Sequence, residues 1–313
     1  MQYRKNSTAF GLVLKKLKVK TEVTVKIFLA TLLSKLDFIG AKPCGFERNG
    51  TMYLALNRNY LLGPKNTVIR IPKDEVIYKS VRRFGQWETS ESIFLGEGLR
   101  RIGKNSNLTP KIIDIGANAG LISIQAINYA NFACELYAIE PLLINHVCLT
   151  SNLEVIRAKS TIFKFQKALS DRDSTSNIYV NRLNLGDSSL IFKNTVGMDI
   201  FESTVETVST KEFFQKNIPK SGRFVFKCDI QGYESLVISH IPMDFWDLVD
   251  CALIEVGANS TVTYDQLSKI ELVLQKFSKL QWSSETSKSI KINEVINFWR
   301  SNSDHERNLF LSK

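Results

Sequence analysis

The chain has 313 residues, 44% of them hydrophobic, which suits one large domain with a small extension. Its formal charge of +10 is concentrated at the start: residues 1–50 hold ten basic side chains against three acidic ones, so the body is nearly neutral and is not a phosphate-tracking surface. Five cysteines without Cys-x-x-Cys spacing and three scattered histidines argue against a disulfide framework and a zinc site; they fit free thiols in a reducing compartment, so the expected location is cytoplasmic.

Residues 8–39 mix lysines with Leu, Val, Ile and Phe, and "FLATLLSKLDF" has helical spacing, so an amphipathic helix is expected there. Such a helix either packs on the domain with its lysines in water or makes a peripheral contact with a membrane surface or a partner. Its best apolar run, Ile27–Leu33, is too short to span a bilayer, and lysines interrupt it as a signal-peptide core. "KPCG" at Lys42–Gly45 breaks the helix. Short strands are expected at Thr51–Leu56, Thr67–Ile71 and Glu75–Tyr78, separated by "LGPKN" and "PKD". Residues 1–84 therefore read as a basic extension and 85–313 as the main domain, opened by a helix from about Glu88 to Ile102.

From Lys111 strands and helices alternate. "KIIDI" precedes a helix to about Tyr129, "ELYAIE" (Glu135–Glu140) precedes a helix over Leu142–Leu153, and a third strand is expected near Phe163–Ala168. Shorter strands ("NIYV", "SSLIF", "VETVS") lead to the helix "TKEFFQKN", with Thr210 as its N-cap. Strand Arg223–Ile230 precedes a helix from near Gly232, and strand Cys251–Val256 precedes one over about Thr263–Phe277. "LQWSS" and "NLFLSK" close the chain as an antiparallel pair. This alternation means a doubly wound α/β sheet.

In such sheets ligands bind at the carboxyl ends of the strands, where the strand order reverses. "DIGANAG" ends the first strand of the alternating region, and Gly116 and Gly120 allow a sharp turn and a close backbone approach. About twenty residues on, Glu140 ends the second strand, where a carboxylate can accept both hydroxyls of an adenosine ribose. The loop lacks the G-x-G-x-x-G spacing of dinucleotide sites, and Asp114 would repel a pyrophosphate but attract an ammonium. S-adenosylmethionine, with an amino-acid end, an adenosine end and no phosphate, is the cofactor this pattern suits.

Taken in order, "IIDIGANAGLISI", "YAIEP", "KALSD", "SSL", "VETVSTKEFF", "FKCDIQGYES" and "ALIEVG" resemble the FkbM-type methyltransferase family over roughly Gly85–Gly257. The resemblance implies a Rossmann-like class I methyltransferase fold: a doubly wound, mostly parallel sheet with an antiparallel C-terminal strand pair. It implies methyl transfer from S-adenosylmethionine to a hydroxyl of a sugar, polyketide or lipid-linked glycan. Two features depart from the family: Ile230-Gln231-Gly232 stands where Val-Glu-Gly is usual, and "GKNSNLT" lengthens the loop before the first strand.

The cofactor residues expected on this basis are Asp114, Gly116, Asn118 and Gly120 for the methionine end, Glu140 for the ribose and Asp171 for the adenine amino group. The catalytic candidates are Asp229, Glu234 and Glu255, each at or just beyond a strand end; Asp229 would orient the sulfonium end or take the acceptor proton. Ser188 and Ser189 are candidates for the acceptor pocket. No metal is required by this chemistry. The expected partner is a small-molecule or glycan acceptor rather than nucleic acid. Two other readings remain: an RNA methyltransferase gripping RNA through the basic start, and a non-catalytic membrane-surface protein that keeps the fold.

Overall fold

The structure is a computed structural model describing residues 40–313, except 49, 73, 75, 106–107, 157–159, 192–198, 258–261, 286–287 and 302–305. The amphipathic stretch at residues 8–39 lies outside the described residues.

The described chain opens with an antiparallel sheet of β1 (Ala41–Phe46), β2 (Thr51–Leu56) and β3 (Val68–Pro72). "KPCG", expected to break a helix, belongs to β1. It forms an edge strand, where Pro43 needs no ladder donor, with a shift in register between Pro43 and Gly45. Of the strand expected at Glu75–Tyr78, Ile77 and Tyr78 instead open helix α1 (Ile77–Phe84). Asp74 explains the difference: its Oδ1 accepts from the N–H groups of Val76 at 3.1 Å and Tyr78 at 2.9 Å, satisfying donors that a nascent helix leaves open. Helix α2 (Thr89–Asn105) follows and buries Leu95, Leu99 and Ile102.

The alternating region then lays down β4 (Lys111–Ile115), α3 (Leu121–Ala130), β5 (Glu135–Ile139), α4 (Leu143–Asn152) and β6 (Thr161–Phe165). The third expected strand is split. β6 ends at Phe165, and β7 (Ala168–Ser170) joins a separate small sheet with β8 (Ser174–Asn181) and β9 (Ile200–Ser209). Only one bridge, Tyr179 to Ser189, is formed by the described part of "SSLIF". Helix α5 (Thr210–Asn217) is capped by Ser209 rather than Thr210, through the N–H of Glu212. Then come β10 (Phe224–Cys228), α6 (Glu234–His240), β11 (Val249–Gly257), α7 (Tyr264–Leu274), β12 (Lys279–Trp282), α8 (Ile292–Arg300) and β13 (Glu306–Ser312).

The main sheet runs β12-β13-β11-β10-β4-β5-β6, parallel throughout except for β13, which lies antiparallel between β12 and β11. This is the expected doubly wound sheet with its antiparallel C-terminal pair. From β4 the chain builds outward through β5 and β6, then returns to build the other way through β10 and β11. The crevice between β4 and β10 is therefore the switch point.

Both faces of the sheet are covered. One face carries Ile113, Ile115, Phe224, Phe226 and Ile254 in a cluster with the aromatic side chains Phe213, Phe245 and Trp246. The other carries Ile112, Leu136, Val225 and Leu253 in a cluster that runs on through α2 and α3 to Leu54, Leu56, Ile69 and Ile71 of the small N-terminal sheet. Helix α3 is apolar nearly all round and correspondingly buried. Cys134, Cys148, Cys228 and Cys251 are buried free thiols, and Cys44 is exposed. Among the described residues no helix is long and apolar enough to cross a membrane.

Candidate active site

Strand parity decides which side chains meet. Alternate residues point to opposite faces, so Asp114 shares the face of Ile112, and Lys227 shares that of Val225. Lys227 and Asp114 are register partners on adjacent strands. Their side chains meet accordingly: Lys227 Nζ lies 3.2 Å from Asp114 Oδ1 and 3.5 Å from Asp229 Oδ2, and donates to the carbonyl of Gly116 at 3.0 Å. Ser123 Oγ donates to Asp114 Oδ2 at 2.6 Å. Burial on its own would lower the Lys227 pKa; the carboxylates of Asp114, Asp229 and Glu88 outweigh it and raise the lysine above its ordinary value. Asp114 is thus fully buried and already neutralised, and it does not line the cavity at the switch point.

The glycine loop turns directly over this pair. Gly116 has φ +77°, and a Cβ there would stand 1.9 Å from the carbonyl oxygen of Asp229. Gly116→Ala is therefore expected to cost on the order of 3 kcal/mol from left-handed strain and overpacking; a denaturation midpoint equal to wild type would contradict the close approach of the two loops. Gly120, at φ +79°, starts α3 and packs on Leu149 rather than on the cavity. The N–H groups of Gly116 and Ala117 donate to the carbonyl of Ile139 at 3.0 Å, tying the loop to the end of β5.

Glu140 follows that tie. Its Oε2 accepts from the N–H of Asn118 at 2.9 Å, and its Oε1 from the N–H of Leu142 at 3.0 Å and Asn145 Nδ2 at 3.4 Å. Burial raises its pKa to about 7 against these hydrogen bonds, which lower it. Glu140, Asn118 and Asn145 line the cavity together with Ile122, Ile139 and Leu169.

On the other side, "DIQGYE" forms a tight loop after β10. Gln231, at φ +60°, donates its Nε2 to Asp229 Oδ1 at 3.1 Å and to Glu255 Oε2 at 2.9 Å, so one amide nitrogen bridges two cavity carboxylates. Glu234 lies beneath. Its Oε1 accepts from the N–H of Ile230 at 2.7 Å and its Oε2 from that of Gly232 at 2.9 Å. It shapes the loop and does not line the cavity, although burial raises its pKa. One carboxylate oxygen each from Asp229, Glu234 and Glu255 lies within 4.8 Å of the others, a spacing that could hold a cation. Gln231 and the loop N–H groups already donate into that cluster.

Of the residues expected from the sequence, the cavity brings together Gly116, Asn118, Glu140, Asp229 and Glu255, with Ser188 on its wall. Asp171 is exposed beyond β7 and lies off the cavity; its Oδ1 accepts from Ser170 Oγ at 3.1 Å. The cause is the break after Phe165, which carries "LSD" into the small sheet and leaves Lys167, Ala168 and Leu169 on the wall. Ser189 is turned inward, donating to the carbonyl of Gln231 at 2.7 Å. Among the cavity residues not foreseen as site residues are Lys227 and Glu88. A lysine within the apolar run "FVFKC" was a legible signal for the first, since a fully buried lysine has to be paired.

The sequence model described as Methyltransferase FkbM domain matches residues 114–281, more than half of the chain. No curated protein matches it. Among solved structures, a precorrin-6y C5,15-methyltransferase from Geobacter metallireducens GS-15 is similar with a TM-score of 0.38 and 11% identity, over 82% of this chain and 100% of that one. A SAM-dependent methyltransferase from Agrobacterium tumefaciens has a TM-score of 0.38 and 8% identity, over 87% and 75%. The bifunctional kinase-methyltransferase WbdD has a TM-score of 0.36 and 8% identity, and this chain covers 38% of it with 72% of its own length. Those likenesses are distant. The strand order with its switch-point cavity and the match over residues 114–281 are the stronger observations: the chain has the class I methyltransferase fold, belongs to the methyltransferase FkbM domain family, and is a methyltransferase.

Proposed function

We propose that this methyltransferase takes its methyl group from S-adenosylmethionine and delivers it to a hydroxyl of a sugar, glycan, lipid-linked or polyketide acceptor. Glu140 carries the reading. Its carboxylate stands beside the glycine loop, oriented by two backbone N–H groups, and retains lone pairs for further donors. Such an acceptor suits the paired hydroxyls of a ribose. Asn118 Oδ1 and Asn145 Oδ1 belong to the same wall and are buried without a hydrogen-bond partner among the described residues. The wall therefore favours a guest rich in donors: hydroxyls, an amino group, an ammonium. A pyrophosphate would face Glu88, Glu140, Asp229 and Glu255 instead. Ile122, Ile139 and Leu169 offer apolar surface to an adenine ring.

Bound in this cavity, S-adenosylmethionine would supply an electrophilic methyl carbon on a sulfonium. The chain's own part is alignment and proton removal. An attacking hydroxyl oxygen must lose its proton to end as a neutral ether. Asp229 and Glu255, held together by Gln231, would receive it. Asn184, Ser188, Leu190 and Asn308 would bound the acceptor side of the cavity. Incubation with methyl-labelled S-adenosylmethionine and a panel of hydroxyl-bearing acceptors, read by mass spectrometry and NMR, is expected to yield a methyl ether. An N-methylated product, from RNA or any other amine, would overturn the assignment to oxygen.

A further inference from the structure

We propose that Glu88 is the carboxylate that receives the α-ammonium group at the amino-acid end of the cofactor, an inference that rests on the S-adenosylmethionine reading above. Asp114, the residue expected to do so, is fully buried and paired with Lys227 and Ser123. Glu88 lines the same cavity as Gly116 and Ala117 and faces Asp229.

Glu88 differs from the other acids around it in having no hydrogen-bond partner for its carboxylate among the described residues. Glu140 holds the N–H groups of Asn118 and Leu142, Glu234 those of Ile230 and Gly232, and Asp229 the amide of Gln231. Glu91, the next acid on α2, accepts from Ser90 Oγ at 2.7 Å and Asn308 Nδ2 at 3.5 Å. Glu88 is therefore a cavity acid whose carboxylate keeps its acceptor capacity for a donor.

Its placement is also built rather than incidental. Its backbone is left-handed, φ +40°, which costs a non-glycine residue roughly 1 kcal/mol or more and persists only where neighbours enforce it. The buried Gln125 of α3 supplies that enforcement. Its Oε1 accepts from the N–H of Trp87 at 3.1 Å, and its Nε2 donates to the carbonyl of Trp87 and to Ser92 Oγ. Ser92 in turn donates its N–H and hydroxyl to the carbonyl of Glu88 at 3.1 and 3.0 Å. Glu88, Asn118 and Gln231 are three left-handed non-glycine residues, and all three line this one cavity.

The charges point the same way. Glu88 faces Asp229, Glu91 and Asp114, with Lys227 as their counter-charge, and Glu255 lies beyond Gln231. Burial first, and Asp229 second, push the Glu88 carboxyl up to about 8. Near neutrality Glu88 of the ligand-free protein therefore holds a proton. An ammonium placed there supplies the missing positive charge, and the proton leaves.

The test is calorimetry on the full chain with two probes, S-adenosylhomocysteine and methylthioadenosine, which lacks the amino-acid end. Glu88→Gln keeps the shape and removes the charge. It is expected to weaken S-adenosylhomocysteine by about tenfold or more while leaving methylthioadenosine within about twofold, because one charge-assisted hydrogen bond is lost. Near neutral pH the wild type is also expected to release more protons with S-adenosylhomocysteine than with methylthioadenosine, and Glu88→Gln to erase that difference. Unchanged affinity for S-adenosylhomocysteine, or equal weakening of both probes, overturns the role of Glu88. Wild type that binds neither probe overturns the cofactor reading itself.

Discussion

Replacing Lys227 with methionine is expected to destabilise the folded chain by about 3–5 kcal/mol, the range for removing one partner of a buried ion pair. Lys227 is 2% exposed and Asp114 is 0% exposed, so water cannot take over the lost interaction. The ammonium also holds the carbonyl of Gly116 and faces Asp229, so the glycine loop and the loop after β10 lose their common anchor. The sign of the pH dependence follows from the raised lysine pKa. Its contribution is complete below the ordinary lysine value and is lost only in strong alkali, so the deficit should be constant across neutral pH. Adding Asp114→Asn is expected to restore part of the stability, because the acid then no longer needs a counter-charge. A loss under about 1 kcal/mol in urea denaturation would mean that the pair is not the anchor described here.

Glu140→Ala is expected to weaken S-adenosylhomocysteine by roughly a hundredfold, the consequence of losing two hydrogen bonds to one charged acceptor. Burial places the carboxyl at about 7, so near neutrality Glu140 is only partly ionised in the ligand-free protein. Hydroxyl donors favour the ionised form, and wild-type affinity for methylthioadenosine, which does not engage Glu88, should therefore rise with pH up to about 7 and then level. The stability of the ligand-free protein runs the opposite way. A carboxyl whose folded pKa exceeds its unfolded value leaves the folded state holding more protons, so the Glu140 contribution falls as pH rises from the ordinary range to about 7. Glu140→Ala should remove both dependences. Affinity within threefold of wild type, or a methylthioadenosine pH profile that survives the substitution, would place the ribose elsewhere.

The parallel strands were legible because they are buried on both faces and read as continuous apolar runs ended by turn residues. The glycine loop, Glu140 and Asp229 followed from their positions at strand ends. Short apolar runs were not decidable in the same way. "EVIY" suits a strand or a helix, and only the contacts of the Asp74 side chain resolve it. Helix α8 went unforeseen because "INEVINFWR" is poor in strong helix formers, although Ile292, Val295, Ile296 and Trp299 keep helical spacing. The electrostatics of the site were the least legible part. Asp114 reads as a ligand-facing acid until the register of β4 and β10 sets Lys227 beside it. Glu88 precedes α2 by one residue and looks like an ordinary first-turn acid; its role depends on Gln125, 37 positions away by number and adjacent only in the fold. Asp171 follows an apolar strand as Glu140 does, yet the two-residue break before β7 moves it to another sheet.

The central claim is that the switch-point cavity is an S-adenosylmethionine site. Calorimetric titration of S-adenosylhomocysteine into the folded wild-type chain tests it most directly. The account predicts a single site with micromolar affinity and a melting temperature that rises with ligand concentration. Absence of both heat and stabilisation in a chain shown to be folded would contradict it, and would leave the glycine loop as no more than a strand-to-helix turn.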